Sequence, residues 1–116
     1  MIFLCACTKE AKLKDLDIQV FKNDLGGCSN QRIKMLETLK ANKEAIKGVI
    51  SNDISKLLGK PDIDQLADRN QKYYIYFLEK GEHCNSIQNK SNAKSMAIRF
   101  SAIGLATEIT FQNGTP

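Results

Sequence analysis

Four cysteines and a single histidine are the side chains in this 116-residue chain best suited to covalent or metal chemistry: Cys5, Cys7, Cys28, Cys84 and His83. A thiol beside an imidazole base is the minimal apparatus for nucleophilic catalysis. His83 and Cys84 are adjacent, and successive side chains on an extended chain point to opposite faces, which suits proton transfer poorly. A Cys28–His83 dyad oriented by Asp24 or Glu82 is the alternative arrangement. No strained nucleophile turn and no recognisable cysteine-hydrolase signature accompanies either pair, so no catalytic residue and no enzymatic activity is expected. Zinc held by Cys28, His83 and Cys84 lacks a fourth ligand and the usual paired spacing, and no metal is expected. Asp62 and Asp64 lack the remainder of a calcium loop. Gly26-Gly27 lacks the later glycines and the Lys-Ser or Lys-Thr pair of a phosphate loop, so neither cofactor nor small-molecule substrate is expected.

A second group of residues suggests contact rather than catalysis. Tyr73, Tyr74 and Tyr76 alternate with Ile75, Phe77 and Leu78 in a run rich in β-formers. Both faces of such a strand are apolar or aromatic, which places it centrally in a sheet. The plain reading is core on one side and a half-buried sheet surface on the other. The functional reading is a binding face made by Tyr73, or by Tyr74 and Tyr76, together with Arg99, because exposed tyrosines are enriched at interfaces. The net charge of +4 comes mainly from dispersed lysines. No arginine cluster or basic stripe interleaved with aromatics is present, so nucleic acid is not an expected partner. Lys34, Lys40, Lys43 and Lys47 read as the solvated side of a helical region.

The elements that must position these groups are legible from breakers and periodicity. A chain of this length, 42% hydrophobic and 26% charged, makes one compact domain rather than two. Gly26-Gly27 breaks the chain, Ser29 or Asn30 caps a first helix, and Ile33, Met35, Leu36 and Leu39 give it an apolar stripe. That helix ends or loosens at Asn42-Lys43, and Ile46, Val49 and Ile50 follow as anchors. Ser51 or Asn52 caps a second helix in which Ile54, Leu57 and Leu58 face the core. Gly59 and Pro61 stop it. Residues 62–70 read as a polar linker anchored by Leu66, residues 73–78 as a strand, and residues 79–93 as turns. The two final runs form a hairpin about Ile103-Gly104. Counting outward from Ala102 opposite Leu105 sets Ile98 against Ile109, Met96 against Phe111 and Arg99 against Glu108. A one-residue slip would spoil both faces. The expected architecture is α+β, with two helices packed on a three-stranded antiparallel sheet in a two-layer ααβββ order.

The N-terminal Met1-Ile2-Phe3-Leu4-Cys5-Ala6-Cys7-Thr8 is apolar up to Cys7 and polar from Lys9. Leu4-Cys5-Ala6-Cys7 resembles the bacterial lipobox, the end of a lipoprotein signal peptide. The resemblance implies cleavage before Cys7 and acylation of its thiol, with a basic segment expected upstream. Each buried acyl methylene contributes about 0.8 kcal/mol, so several chains anchor a protein stably to a membrane. A short buried strand is the alternative. Removal of Cys5 and acylation of Cys7 would leave Cys28 and Cys84, which an oxidising compartment would join in a disulfide. Two separate buried thiols remain possible at this point. On this reading residues 1–7 end a signal peptide, residues 8–22 form a charged tether and residues 23–116 form the domain.

Gly48-Val49-Ile50-Ser51-Asn52-Asp53-Ile54-Ser55-Lys56-Leu57-Leu58-Gly59-Lys60-Pro61 resembles the signature of the SmpA/OmlA (BamE-like) lipoprotein family. An aromatic strand at 73–78 and a hairpin over 96–111 follow in the order that family shows. The opening Asp24-Leu25-Gly26-Gly27-Cys28, leading into Arg32, is more similar to small envelope lipoproteins of Bacteroidetes-type bacteria. The resemblance implies an ααβββ fold and action by binding other proteins. The expected protein is therefore a lipid-anchored, non-catalytic binding or scaffolding module of the bacterial envelope, on the outer membrane facing the periplasm, with an envelope protein as partner. An inhibitor or immunity-type protein that blocks an enzyme, using loops such as 79–93, is the alternative.

Overall fold

The computed structural model describes residues 12–116. The lipobox and Cys7 lie outside the described residues. The helices are α1 (Ile18–Asn23), α2 (Leu36–Ala41), α3 (Lys43–Ile46) and α4 (Ser51–Leu58), and the strands are β1 (Ile63–Leu66), β2 (Lys72–Phe77), β3 (Lys94–Phe100) and β4 (Ala106–Asn113). The strands form one antiparallel sheet in the order β1-β2-β3-β4. The α+β class holds, with four strands where three were expected and, among the described residues, four short α-helices where two were expected.

The helices cover one face of this sheet. Tyr74, Tyr76, Met96, Ile98 and Ile109 point from it into a core shared with Phe21, Leu39, Ile46, Ile54 and Leu58. Helix α4 follows its sequence signals at the C-terminus, where Gly59 takes φ +90° ahead of Pro61. Its start differs from expectation. Ile50 occupies the cap position, Ser51 is already helical and buried, and the Ser51 amide donates to Gly104 O at 2.8 Å. A neighbouring loop thus supplies the acceptor that a side-chain cap would have provided.

The N-terminal boundary also differs. The expected tether spans 8–22, of which 8–11 lie outside the described residues. In the remainder, Leu13, Leu16 and Ile18 pack on the core, and Phe21 is fully buried. Asn42, at the break between α2 and α3, holds this segment: its side chain accepts from Lys14 N at 2.8 Å and donates to Lys14 O at 2.9 Å. Asp17 caps α1 by accepting from Val20 N. The apolar residues here serve as core, so residues 13–21 belong to the packed domain.

The polar stretch 62–70 was expected to be a linker, yet it contains β1. Ile63 pairs with Ile75 and Leu66 with Lys72. Leu66 is not an anchor, because 84% of its surface is exposed. The β2–β3 partnership makes β2 interior to the sheet, as its two apolar faces require. The β3–β4 register sets Ile98 against Ile109, Met96 against Phe111 and Arg99 against Glu108 as derived, and Phe100 then pairs with Ala106. Thr107 is the extra residue of a bulge. The turn lengthens accordingly to residues 102–104, with Gly104 N donating to Ser101 O and Ser101 N to Leu105 O. Strand register survived because the apolar face dictates it, whereas the turn gained a residue that a two-residue loop does not contain.

Candidate functional site

The cysteine–histidine cluster forms where two loops meet. Cys28 and Cys84 are joined in a disulfide with their Cα atoms 6.0 Å apart. His83 is buried, with its ring stacked on Phe77 at 3.8 Å between centroids. Its Nε2 lies 2.6 Å from Gly26 O, an atom that can only accept, so Nε2 carries the hydrogen and donates. Nδ1 lies 2.8 Å from Ser91 Oγ, and Cys84 Sγ is 3.5 Å from Nε2. The donor atoms of Cys28, His83 and Cys84 fall within 4.8 Å of one another. The sulfurs are bonded to each other and both imidazole nitrogens are engaged, so in this oxidised form the trio offers neither a nucleophilic thiol nor the thiolates of a zinc site. It fastens the loop after β2 to the Gly26-Gly27 turn.

That turn is held from below by a buried ionic network the sequence did not announce. Asp62 Oδ2 accepts from Arg32 Nη1 at 2.8 Å and from Phe77 N at 2.7 Å, while Oδ1 accepts from Gly26 N at 3.0 Å. Arg32 also donates to Phe21 O and Phe77 O, and its guanidinium lies 4.4 Å over the Phe21 ring. Asp24 accepts from the amides of Ser29, Gln31 and Arg32, the capping role that sequence assigned to Ser29 or Asn30. Every charged oxygen and nitrogen named here has a partner, as burial demands.

Of the two tyrosine faces the sequence left open, the one made by Tyr74 and Tyr76 is covered. Tyr74 and Tyr76 point into the helical core and are buried. Burial pushes the Tyr76 phenol far above its ordinary pKa, with Tyr74 adding to the rise and Arg32 opposing it. The Tyr76 hydroxyl donates to Gly59 O at 2.8 Å. Tyr73 and Arg99 lie on the opposite face, directly across the β2–β3 ladder, with the guanidinium 5.9 Å from the ring. Arg99 Nε donates to Gln71 Oε1 at 2.6 Å. Of the two alternatives, Tyr73 with Arg99 is therefore the one on the face the helices leave uncovered, with both side chains half-buried. The reason is alternation: Tyr74 and Tyr76 share a face with Ile98 and Met96, and that is the face the helices cover.

A surface that the sequence had assigned merely to solvated lysines is more distinctive. Lys40, Lys43 and Lys47 line one side of a groove of about 680 Å³, and Glu108, Ile109, Thr110 and Phe111 of β4 line the other. β4 ends the sheet, so this groove runs along a strand edge. The lysine spacing of three and four residues was legible in the sequence, but nothing there showed that it faces an edge strand.

No helix among the described residues is long and apolar enough to cross a membrane. Fold and site together define a disulfide-bonded α+β domain with a cationic groove at a sheet edge. Compared with protein-family models, curated proteins and solved structures, the chain finds no match in any of the three.

Proposed function

We propose that the chain is a non-catalytic binding or scaffolding module of the bacterial cell envelope, anchored to the outer membrane by lipid on Cys7 and facing the periplasm. The observation that carries the reading is the Cys28–Cys84 disulfide. Disulfides persist in oxidising compartments and are rare in the cytosol. Joined to the lipobox-like Leu4-Cys5-Ala6-Cys7, the bond supports an exported and tethered protein. The engagement of both sulfurs and both imidazole nitrogens supports a structural role for the residues otherwise best suited to catalysis. The test is the mass of the protein purified from its native membrane, with and without reduction. The reading expects an acyl adduct on Cys7 and a gain of about two hydrogen masses on reducing one disulfide. An unmodified Cys7 with free thiols at 28 and 84 would overturn it.

An inhibitor or immunity-type role is the second reading. It is favoured by residues 85–90, all exposed and including Ile87, which stand between the disulfide at Cys84 and the buried Ser91. A loop pinned at both ends keeps its shape at low entropic cost on binding. Co-purification with an enzyme whose activity falls in proportion to bound protein tests that role.

A further inference from the structure

We infer that the groove beside β4 receives an extended acidic segment of a partner protein, which adds to the sheet as a fifth strand. This deepens the binding-module reading and rests on it. The molecule already extends this edge once with its own chain. Gly48 N donates to Ala106 O at 2.8 Å, Ala106 N donates to Val49 O at 2.9 Å, and Ile50 bridges Leu105 in antiparallel sense. Beyond Ala106 no strand among the described residues pairs with that side of β4. Main-chain groups on a sheet edge supply affinity for an added strand, and side-chain pockets supply selectivity.

The charge pattern selects the occupant. Lys40 lies in α2, Lys43 opens α3 and Lys47 follows it, so the three lysines flank the break at Asn42 on the side that lines the groove. Alternate side chains of an added strand point toward the helix layer at intervals of about 6.6 Å. Carboxylates at every second position would face the lysines that line the groove, with half-buried Phe111 as an apolar contact. The acidic groups nearby do not close the site. Glu37 pairs with Lys40 at 3.7 Å and Glu44 with Lys47 at 3.0 Å, but both carboxylates are largely exposed. Exposed pairs of this kind are worth at most about 1 kcal/mol, so a docked carboxylate can replace them. Glu108 lines the groove as well, but alternation with the buried Ile109 sends its side chain to the sheet face that carries its cross-strand partner Arg99.

The test uses the full, oxidised, membrane-purified chain in detergent and a synthetic ten-residue peptide alternating Glu and Val. Anisotropy of the labelled peptide and the backbone amide spectrum of the protein are the readouts. The expected result is binding that weakens with salt, shifts confined to residues 108–113 and the three lysines, and no binding of the matched Lys–Val peptide. Replacing the row with Lys40→Gln, Lys43→Gln and Lys47→Gln should weaken binding about ten-fold or more, the size of a change near 1.4 kcal/mol. A Glu–Val peptide with proline at alternate positions, which lacks the donors a ladder needs, should not bind. Equal affinity for the basic peptide, indifference to the lysine replacements, or pairing of two β4 edges in a dimer that excludes peptide would each overturn the assignment. An acylated, oxidised protein that ignores the acidic peptide sinks the groove alone. Peptide binding by a protein never acylated at Cys7 sinks the anchored reading alone.

Discussion

Arg32 Nη1 lies 2.8 Å from Asp62 Oδ2, with only 1% and 8% of the two side chains exposed. Between them these residues hold Phe21 O at the end of the first helix, Gly26 N in the turn, and both Phe77 N and Phe77 O on the central strand. Helix α1, the Gly26 turn and strand β2 thus converge on one ion pair. Removing one member leaves the other charge buried without compensation, which typically costs 3–5 kcal/mol.

Asp62→Ala should therefore lower the unfolding free energy by about 3–5 kcal/mol in urea denaturation. Arg32→Met alone should cost a similar amount. The double variant should cost clearly less than the sum, because neither lone charge then remains buried. Strict additivity would show that the two residues do not act as a pair.

The Cys28–Cys84 bond spans a sequence separation of 56 residues. A closed loop of that size removes enough unfolded-chain entropy to be worth about 4 kcal/mol. Joint replacement by Cys28→Ser and Cys84→Ser should reduce stability by about that amount, read as a shift of the urea midpoint with the folded circular dichroism spectrum retained.

Tyr76 gives the protein an alkaline limit. Its phenol ionises near 10.0 when solvated and is held far above that by burial in the folded chain. The folded state therefore keeps a proton that the unfolded state releases. The associated stability is complete below pH 10 and is lost as pH rises beyond it, at about 1.4 kcal/mol per pH unit for one proton. Tyr76→Phe should flatten the decline above pH 10 by that slope in parallel denaturation series.

Gly27 and Leu66 make a contrasting pair. A Cβ at Gly27 would sit 2.5 Å from the Leu78 carbonyl carbon, and the residue has φ +67°. Gly27→Ala should thus destabilise by several kcal/mol, of order 3 or more, through overpacking and backbone strain. Leu66→Ala, on an 84% exposed side chain, should stay within about 0.5 kcal/mol. Thermal melting of both variants distinguishes a backbone-tight turn from an exposed edge residue.

Much of this architecture was written in local pattern. The stop at Gly59 and Pro61, the central aromatic strand, and the pairing of Ile98 with Ile109 and Arg99 with Glu108 all follow from period, propensity and face matching. These are properties of residues near one another in sequence or opposite one another in a hairpin. The strand β1 escaped notice because Ile63-Asp64-Gln65-Leu66 has little β-forming character of its own and is drawn into the sheet by its neighbour β2. Phe21 and its helix were not legible because Leu13, Leu16, Ile18 and Phe21 are interleaved with charges, and what buries them, α4 among it, lies far along the chain.

The sequence alone determined the α+β class, the stop after α4 and the pairing of β3 with β4, because composition, breakers and alternation act locally. Tertiary structure alone decided that His83 is a strut against Gly26 and Phe77, that Tyr74 and Tyr76 are core, and that Lys40, Lys43 and Lys47 border a strand edge. It also brought Arg32 to Asp62. The physical reason is common to all four: which face of an element is covered depends on what packs against it, and an isolated segment carries no record of its neighbours.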